Sequence, residues 1–579
     1  MREKVFFLGI VLLGLLLRVW GIGWDSGFHL HPDERMLIMV TERIQFFSQM
    51  NPDFFNYGSL PVYLLAGLAQ LSDALFQTQF DSYDGLLYFG RGLSTALDMG
   101  VVIMVYQIGK YLFKNAVPAL LGAFFYAVAF FPIQNSHFFI VDTFLNFFST
   151  LLLLSLLWYR HTPTKWILGL IAFSFAGALT SKVTGIIFTP VIALTLLLPF
   201  PAHTNIYERF LAWIARVRNK SFVTPEMIAY LKRVTLHGVL LGSLTVLLTF
   251  LFMPYAFIEY DRFMRDILLQ VQMNSNPYIF PYTLQYVGTH PYVYYLTHIF
   301  KWGLGPLITS FAGIGLVSLG INGIRSIRKS EKRSMELWLP LFLVFLFYLL
   351  FFIIIGKSSV KFMRYLLLMY PFFALLAGNG AFQLAQFTNR FFNRNQIRLR
   401  ISYGVICTIA FLWTLPFLMI TTSPNTRVQA TQWINENIPQ GSVLAVEHWD
   451  DRVPMYDPGN YQYEEMTLYD IPDDDRKWEL LSEKLDRTDY IIIASNRLYT
   501  PLQRLQECGE HGRCYPRTAQ YYRSLFSGNG KFVKVAEFTS YPRLHIFGRQ
   551  ITLVDDGADE SFTVYDHPKI MIFKKKIPL

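Results

Sequence analysis

The stretch Gly27-Phe28-His29-Leu30-His31-Pro32-Asp33-Glu34-Arg35 follows the first long apolar run of the chain, Val5–Trp20. Acids are costly beside hydrocarbon, so those found there usually serve a function. A carboxylate at a membrane surface can take the proton of a hydroxyl group, and we therefore predict that Asp33 is a catalytic base, with Glu34 as a second candidate acid. Alternatively, Asp33 caps the helix that Pro32 begins. Capping does not prevent the same carboxylate from acting as a base.

The composition is that of a membrane protein with several spans and a water-exposed part. Of 579 residues, 53% are hydrophobic and only 16% are charged. The net charge of +10 would suit a nucleic-acid partner. However, most of the excess Lys and Arg lies in short loops between apolar segments, where membrane orientation explains it, and we expect no nucleic acid.

Apolar segments of about 20 residues, enough to cross a bilayer, recur over the first part of the chain. We predict about 11 spans. Basic residues precede the first apolar segment, and we expect this segment to remain uncleaved. The predicted spans are Val5–Trp20, Leu93–Phe113, Ala116–Phe131, Ile140–Tyr159, Trp166–Ser181, Thr184–Phe200, Leu236–Ile258, Trp302–Ile324, Leu337–Ile355, Tyr365–Phe387 and Ile401–Ile420.

The segment Leu60–Leu75, interrupted by Asp73, is the doubtful one. If it lies against the membrane without crossing, the later basic clusters fall on the cytoplasmic side with the N-terminus, as the positive-inside rule requires. These clusters are Arg160–Lys165, the loop with Arg209, Arg216, Arg218, Lys220, Lys232 and Arg233, then Arg325–Arg333 and Arg390–Arg400. We predict a multi-pass plasma membrane protein of bacterial type, with the acidic loop and the C-terminal domain outside.

The same topology brings further polar residues to the outer face. Asp142 is the second acid, predicted to orient an acceptor, hold a cation or pair with a lysine, or merely to begin a helix. Lys182, Lys361 and Arg364 are predicted to hold a lipid phosphate, because fixed cations stabilise a leaving group that gains negative charge. Snorkelling at the interface is the alternative for these cations. The candidate substrate-binding residues are His31, His137, His290 and Tyr292.

The composition changes after the last apolar segment, and residues 422–579 are predicted to form a soluble α/β domain behind a membrane domain of residues 1–421. Its predicted helices are Val428–Asn437 and Trp478–Leu485, and its predicted strands are Val443–Val446, Tyr490–Ala494, Phe532–Phe538 and Ile570–Phe573. Cys508 and Cys514 can form a disulfide if this domain faces an oxidising compartment. His448-Trp449-Asp450-Asp451 is predicted to be a surface turn and not a metal site.

Four motifs resemble one family of glycosyltransferases. His31-Pro32-Asp33-Glu34 looks like the acidic motif of the protein O-mannosyltransferase and aminoarabinose-transferase type, and Asp142 with Phe144-Leu145-Asn146-Phe147-Phe148 matches its second acidic position. Thr180-Ser181-Lys182-Val183-Thr184-Gly185 is similar to its lysine motif, and Lys361-Phe362-Met363-Arg364-Tyr365 to its late basic motif. The resemblance covers about residues 1–420.

This resemblance implies a mainly α, GT-C fold membrane enzyme that uses a polyprenyl-phosphate sugar as donor. It also implies an inverting transfer with Asp33 as base, to an acceptor glycan, lipid or protein, in contact with membrane lipids. The C-terminal region, with Glu447–Asp451 and Glu560–Pro568, looks like the extension of bacterial members of the family, and it leaves the acceptor open. Members differ in their use of a divalent cation, so a metal is possible.

Two readings from other classes compete with the enzyme. A transporter or lipid flippase would also carry charges in its membrane domain, but near mid-bilayer and within inverted repeats, whereas these acids cluster at one face. A structural membrane protein that binds a partner through its C-terminal domain leaves the clustering of Asp33, Asp142, Lys182 and Lys361 unexplained.

Overall fold

A computed structural model describes residues 2–198, 225–328, 332–391, 395–546 and 548–576. The basic residues predicted to lie in the long loop at 209–220, and the end of the predicted span Thr184–Phe200, fall outside this description. Of the other basic clusters, residues 329–331 and 392–394 also fall outside it.

The described part of the first 422 residues is almost entirely helical. Its first nine helices are α1 (Arg2–Val19), α2 (Pro32–Glu42), α3 (Leu60–Phe76), α4 (Tyr83–Phe113), α5 (Ala116–Ala127), α6 (Phe130–Ser136), α7 (Val141–His161), α8 (Lys165–Ser181) and α9 (Thr189–Leu197). There follow α10 (Pro225–Phe252), α11 (Tyr255–Ile258), α12 (Tyr260–Ser275), α13 (Val293–His298), α14 (Gly305–Arg328), α15 (Lys332–Gly356), α16 (Met369–Phe391) and α17 (Gln396–Thr422).

By length and composition, six helices among the described residues could cross a membrane, or up to seven if α5 and α6 form one bent span. The shorter apolar helices include α3 and α8. The predicted count of about 11 spans stays a prediction. The predicted fold class, a mainly helical membrane-type domain followed by an α/β domain, is confirmed.

The break between α5 and α6 bends the chain by 54°. Pro132 explains it, because its ring clashes with the carbonyl of Val128 four residues earlier and it has no N–H to donate there. The freed carbonyl of Val128 instead accepts a hydrogen bond from the Thr414 hydroxyl at 2.5 Å. The segment predicted as one straight span, Ala116–Phe131, is therefore a bent pair.

Helix α1 lies antiparallel to the second half of α4. Glu3 pairs with Lys110 at one end, and Arg18 pairs with Asp98 at 2.6 Å near the other. If α1 crosses a bilayer and α4 crosses back beside it, the chain between them makes an even number of crossings. Helix α3 is the one apolar helix described in that interval, so the antiparallel pair supports the prediction that Leu60–Leu75 does not cross.

The C-terminal part is an α/β domain built on one main sheet. Strands β1 (Val443–Glu447), β2 (Gln462–Met466), β3 (Tyr490–Ile493), β4 (Phe532–Phe538) and β7 (Ile570–Lys575) form this sheet in the order β2-β1-β3-β7-β4, and β5 (Arg543–Ile546) pairs with β6 (Arg549–Thr552). The pairs β1–β2 and β1–β3 are parallel, and β7 is antiparallel to β3 and β4. The helices of this part are α18 (Thr426–Asn437), α19 (Asp475–Arg487), α20 (Tyr499–Arg504), α21 (Pro516–Ser527) and α22 (Glu560–Thr563).

The segment Asp559–Pro568 leaves the α/β domain and enters the helical part. Phe562 is fully buried there, with its ring 5.9 Å from that of Phe130 and 6.3 Å from that of Phe417. We call this segment the strap. The strap is thus part of the helical core. The predicted boundary at residue 421 assigns it to the C-terminal domain instead.

Cysteine labelling tests the placement of α3. In a Cys407→Ser background, Ser82→Cys after α3 should react with a membrane-impermeant maleimide from the same side of the membrane as Phe47→Cys before it. Both native side chains are exposed. Thr162→Cys, after α7, should react from the opposite side. Labelling of Ser82→Cys and Phe47→Cys from opposite sides would show that α3 crosses.

Candidate active site

Helix α2 begins at Pro32, and its N-cap is His31 and not Asp33. The His31 Nδ1 accepts a hydrogen bond from the backbone N–H of Glu34 at 3.3 Å. Proline suits the first helical position because its missing N–H would have no partner there. The alternative that Asp33 caps the helix is therefore wrong, and its carboxylate is available for another partner.

Arg364 joins the two predicted acids. Its Nη2 lies 2.6 Å from Oδ2 of Asp33, its Nε lies 3.7 Å from Oδ2 of Asp142, and its Nη1 donates to the Tyr565 hydroxyl at 3.0 Å. Burial lowers the pKa of Arg364, but Asp33, Asp142 and nearby tyrosines together outweigh this and hold that pKa well above its ordinary value. The guanidinium is thus a permanent cation between two carboxylates.

Lys182 completes this group from the end of α8. Its Nζ donates to Oδ1 of Asp142 at 2.7 Å and lies 4.3 Å from the centre of the Tyr365 ring. Asp142, the second residue of α7, therefore binds a different cation on each oxygen. We call Asp33, Asp142, Lys182 and Arg364 the charge cluster.

The loop before α3 packs against the end of α8 beside Lys182. The Gly58 N–H donates to the Ser181 carbonyl at 3.2 Å, and a Cβ at Gly58 would lie 1.8 Å from the Thr180 carbonyl oxygen. Only glycine permits this approach. The start of helix α3 therefore lies beside Lys182 of the charge cluster.

The four members of the charge cluster differ in exposure. The Asp33 side chain is 26% exposed, against 6% for Asp142 and 9% for Arg364. The closest contact of Arg364 is to Oδ2 of Asp33, and no hydrogen bond to Oδ1 is found among the described residues. Asp33 is therefore the carboxylate that a bound molecule can reach.

Glu34 lies in a separate, fully buried network. Both of its oxygens accept from Arg91, at 3.0 and 2.7 Å, and Oε1 also accepts from the Phe139 N–H at 2.8 Å. The same arginine holds Asp25 at 2.8 and 2.9 Å. No part of this carboxylate is exposed and its partners join α2 to α4, so these surroundings favour a structural role for Glu34 over the predicted catalytic one.

Lys361 lies on the loop that precedes Arg364. Its side chain is buried, its Nζ donates to the Ser359 carbonyl at 3.0 Å, and burial lowers its pKa to about 8. The backbone N–H groups of Ser359 and Val360 donate to the Asn274 carbonyl, at the end of α12. Helix α12 therefore holds the loop of Lys361 in place. Because its pKa is about 8, Lys361 loses its positive charge slightly above neutral pH.

His31 packs against the charge cluster through its ring. The ring lies 3.9 Å from that of Tyr565 and 4.6 Å from that of Phe138. Burial, and then the positive charge of Arg364, lower the pKa of His31 well below its ordinary value, so the imidazole is neutral. This agrees with the Nδ1 atom that accepts a hydrogen bond.

The other predicted substrate-binding residues do not meet at the charge cluster. His137 is fully buried behind α6, and its carbonyl accepts from the Trp24 indole at 3.3 Å. His290 is exposed, and Tyr292 donates to the Ile353 carbonyl at 3.1 Å. The structure therefore gives His137 a place in the core and ties Tyr292 to α15.

A metal site is not found among the described residues, which hold no group of three or more His, Cys, Asp or Glu side chains arranged to bind an ion. In the turn after β1, His448 contacts the Tyr469 hydroxyl at 2.6 Å, and Asp451 pairs with Arg35 at 2.9 Å. The turn therefore contacts α2 through Arg35, two residues after Asp33. The sequence prediction of a surface turn did not anticipate that contact.

Two aromatic residues of the site were missed from sequence. Tyr565 comes from the strap and contacts Arg364. Tyr282, in the segment between α12 and α13, has its pKa raised to about 12 by burial and by the negative charge of Asp33. The signal for Tyr565 was the run Glu560–Pro568, in which two acids flank Phe562, Val564 and Tyr565.

Residues 37–233 match the family described as dolichyl-phosphate-mannose-protein mannosyltransferase. The chain is thus similar to this family over about a third of its length, and the glycosyltransferase that the motifs predicted is confirmed. The match includes Asp142 and Lys182 and begins just after Asp33. None of the curated proteins compared matches the chain.

Three solved structures have similar folds. The apo oligosaccharyltransferase of Archaeoglobus fulgidus is 14% identical, with a TM-score of 0.48, over 90% of this chain and 72% of that chain. Apo ArnT of Cupriavidus metallidurans is 11% identical, with a TM-score of 0.44, over 87% and 95%. The S. cerevisiae protein O-mannosyltransferase Pmt1-Pmt2 complex bound to the sugar donor is 18% identical, with a TM-score of 0.32, over 46% and 34%. These similarities are too distant to carry an argument.

Thermal unfolding of the purified chain in detergent distinguishes the two neighbouring acids. Glu34→Gln should destabilise the protein by about 3–5 kcal/mol, because it leaves part of the Arg91 charge buried and uncompensated. Asp33→Asn should shift the melting temperature less, because that side chain is partly exposed and Asp142 still faces the charge of Arg364. Equal melting temperatures for Glu34→Gln and the unmodified chain would contradict the structural role.

Proposed function

We propose that the chain transfers a sugar from a polyprenyl-phosphate carrier to an acceptor hydroxyl on the extracytoplasmic face, with inversion at the anomeric carbon. The observation that carries this proposal is the charge cluster, in which one partly exposed carboxylate, Asp33, lies beside the buried cation Arg364 and the partly buried cation Lys182. The family description names dolichyl-phosphate-mannose as a donor, which supports a lipid-phosphate sugar here. The acceptor is a glycan, a lipid or a protein.

Asp33 is proposed as the general base. Its Oδ1 takes the proton of the acceptor hydroxyl while that oxygen forms a bond to the anomeric carbon. The bond from this carbon to the phosphate oxygen breaks, and the polyprenyl phosphate leaves with the electron pair. Attack from the face opposite the phosphate inverts the configuration. The ion pair from Arg364 to Oδ2 orients the carboxylate for this step.

Arg364 and Lys182 are proposed to stabilise the leaving phosphate. Negative charge grows on the phosphate oxygens as the glycosidic bond breaks, and cations already fixed by Asp142 need little reorganisation to meet it. Asp142 is thus a positioning residue for both cations. Lys361, on the adjacent loop, adds a third positive charge.

The placement of this reaction on the outer face rests on two supports. Cys508 and Cys514 form a disulfide, a bond that persists in oxidising compartments. The basic clusters between the apolar segments also favour a cytoplasmic location for the helix ends that carry them. These ends are opposite to the ones at the charge cluster. A multi-pass plasma membrane protein with an outward C-terminal domain agrees with both.

The transporter alternative has weaker support. Within the described chain, the charge cluster lies at helix ends: Asp142 in the first turn of α7, Lys182 directly after α8, and Arg364 shortly before α16. A separate charged pair, Arg18 and Asp98, is fully buried, and its two charges neutralise each other at 2.6 Å. Charges at one end suit a reaction at the membrane surface.

Replacement of the base tests the proposal. In membranes supplied with polyprenyl-phosphate mannose and other lipid-linked sugars, Asp33→Asn should reduce transfer by about 10²–10⁴-fold, because general-base catalysis is lost. Asp84→Asn is the matched control, since that side chain is 81% exposed and contacts His29 outside the charge cluster. Transfer by Asp33→Asn at the rate of the control would remove Asp33 as the base.

The pH profile tests the role of Lys361. Its charged form exists below its pKa of about 8, so kcat/KM should fall as pH rises through about 8. Lys361→Arg should keep the charge and move this decline to higher pH. The same decline in both proteins would show that another group titrates.

A further inference from the structure

We propose that Tyr565, at the end of the chain, is a positioning residue that orients the Arg364 guanidinium toward the leaving phosphate. The inference rests on the proposed function and deepens it. It also gives the C-terminal domain a part in the reaction, because the strap delivers this side chain to the charge cluster.

Each nitrogen group of Arg364 has its own partner. Nη2 faces Asp33, Nε faces Asp142, and Nη1 donates to the Tyr565 hydroxyl at 3.0 Å. Without the hydroxyl, Nη1 would have no partner in this direction, and a guanidinium with two carboxylates beside it could turn to bind either one through both nitrogens. The phenol therefore keeps the plane of Arg364 fixed.

Tyr565 does this without adding charge. Burial raises the pKa of its phenol, so the hydroxyl stays protonated and neutral. A third carboxylate in its place would cancel the positive charge that a phosphate needs. A neutral acceptor leaves the charge cluster with two acids, Asp33 and Asp142, balanced by Arg364 and Lys182, and Lys361 nearby remains available to the ligand.

The same ring also supports the start of α2. It packs at 3.9 Å from the His31 ring, and His31 caps the helix whose first turn carries Asp33. Tyr565 thus contacts both sides of the proposed reaction: the cation for the leaving group and the turn that holds the base.

The strap holds Tyr565 firmly. On one side the Gln134 amide donates to Asp566 at 2.8 Å, and on the other Arg427 donates to the Val564 carbonyl at 2.7 Å. His567 lies between Asp566 and Asp555, and the negative charge of these acids outweighs burial to raise its pKa to about 10. These bonds fix the residues on either side of Tyr565, so its hydroxyl has a defined position.

The first experiment measures binding of undecaprenyl phosphate to the full chain in detergent. This probe carries the additional phosphate charge that develops in the transition state, so it reports the interaction that Arg364 is proposed to make. Tyr565→Phe keeps the ring and removes the hydroxyl, and its Kd should rise roughly tenfold to hundredfold. Tyr541→Phe, in the same domain, removes a hydroxyl that donates to Asp556 and not one that contacts Arg364, so it should leave Kd unchanged.

Kinetics then separate positioning from general support. With the lipid-linked sugar that the unmodified chain uses, Tyr565→Phe should lower kcat about tenfold or more and change KM by less than about threefold, because the missing bond matters when the phosphate gains charge. Tyr565→His, which returns an acceptor nitrogen to Arg364, should recover part of the loss. A purely structural role predicts no such rescue.

Three outcomes decide the matter. Equal Kd and kcat for Tyr565→Phe and Tyr541→Phe would overturn the role of Tyr565 while the proposed function stands. Absence of undecaprenyl phosphate binding and of transfer in the unmodified chain would instead overturn the proposed function itself. If Tyr565→Phe has a lower melting temperature, the comparison with Tyr565→His at equal folded fraction decides, and failure of that rescue counts against the inference.

Discussion

A guanidinium with almost no access to water must be surrounded by acceptors, and Arg364 imposes this condition on the whole molecule. Its partners come from the first turn of α2, the first turn of α7 and the strap near the end of the chain. Asp33, Asp142 and Tyr565 therefore have to arrive at one point. Because an unmatched charge here would cost several kcal/mol, the arrangement of three distant segments is specified by a single side chain.

Two further buried arginines build the scaffold that makes this possible. Arg18 pairs with Asp98 and so ties α1 to α4, and Arg91 holds the start of α2 against α4 through Glu34 and Asp25. The division of labour between adjacent acids follows from helix geometry, since neighbouring side chains point about 100° apart. Glu34 pairs with Arg91 inside the protein, and Asp33 lies on the partly exposed side.

Much of this was accessible from the sequence, because charge cost and charge bias act locally. They predicted the acidic turn and the grouping of Asp142 with Lys182, while the prediction that α3 does not cross the membrane stays a prediction. The different fates of Asp33 and Glu34 could not be predicted, because they depend on Arg91, 57 residues further along. Likewise, Tyr565 lies 201 residues from Arg364. Strand β2, Gln462–Met466, was missed because its polar residues lack the usual strand pattern.

The strap has a consequence for biogenesis. Contacts such as that from Gln134 to Asp566 join residues 432 positions apart. The helical part is synthesised before the strap, so Arg364 lacks its Tyr565 partner until the strap has been made. If the C-terminal domain is exported, as proposed above, it must fold on the far side of the membrane and dock back before this hydrogen bond can form. A chain stalled before that export would carry a charge cluster without the third support of Arg364.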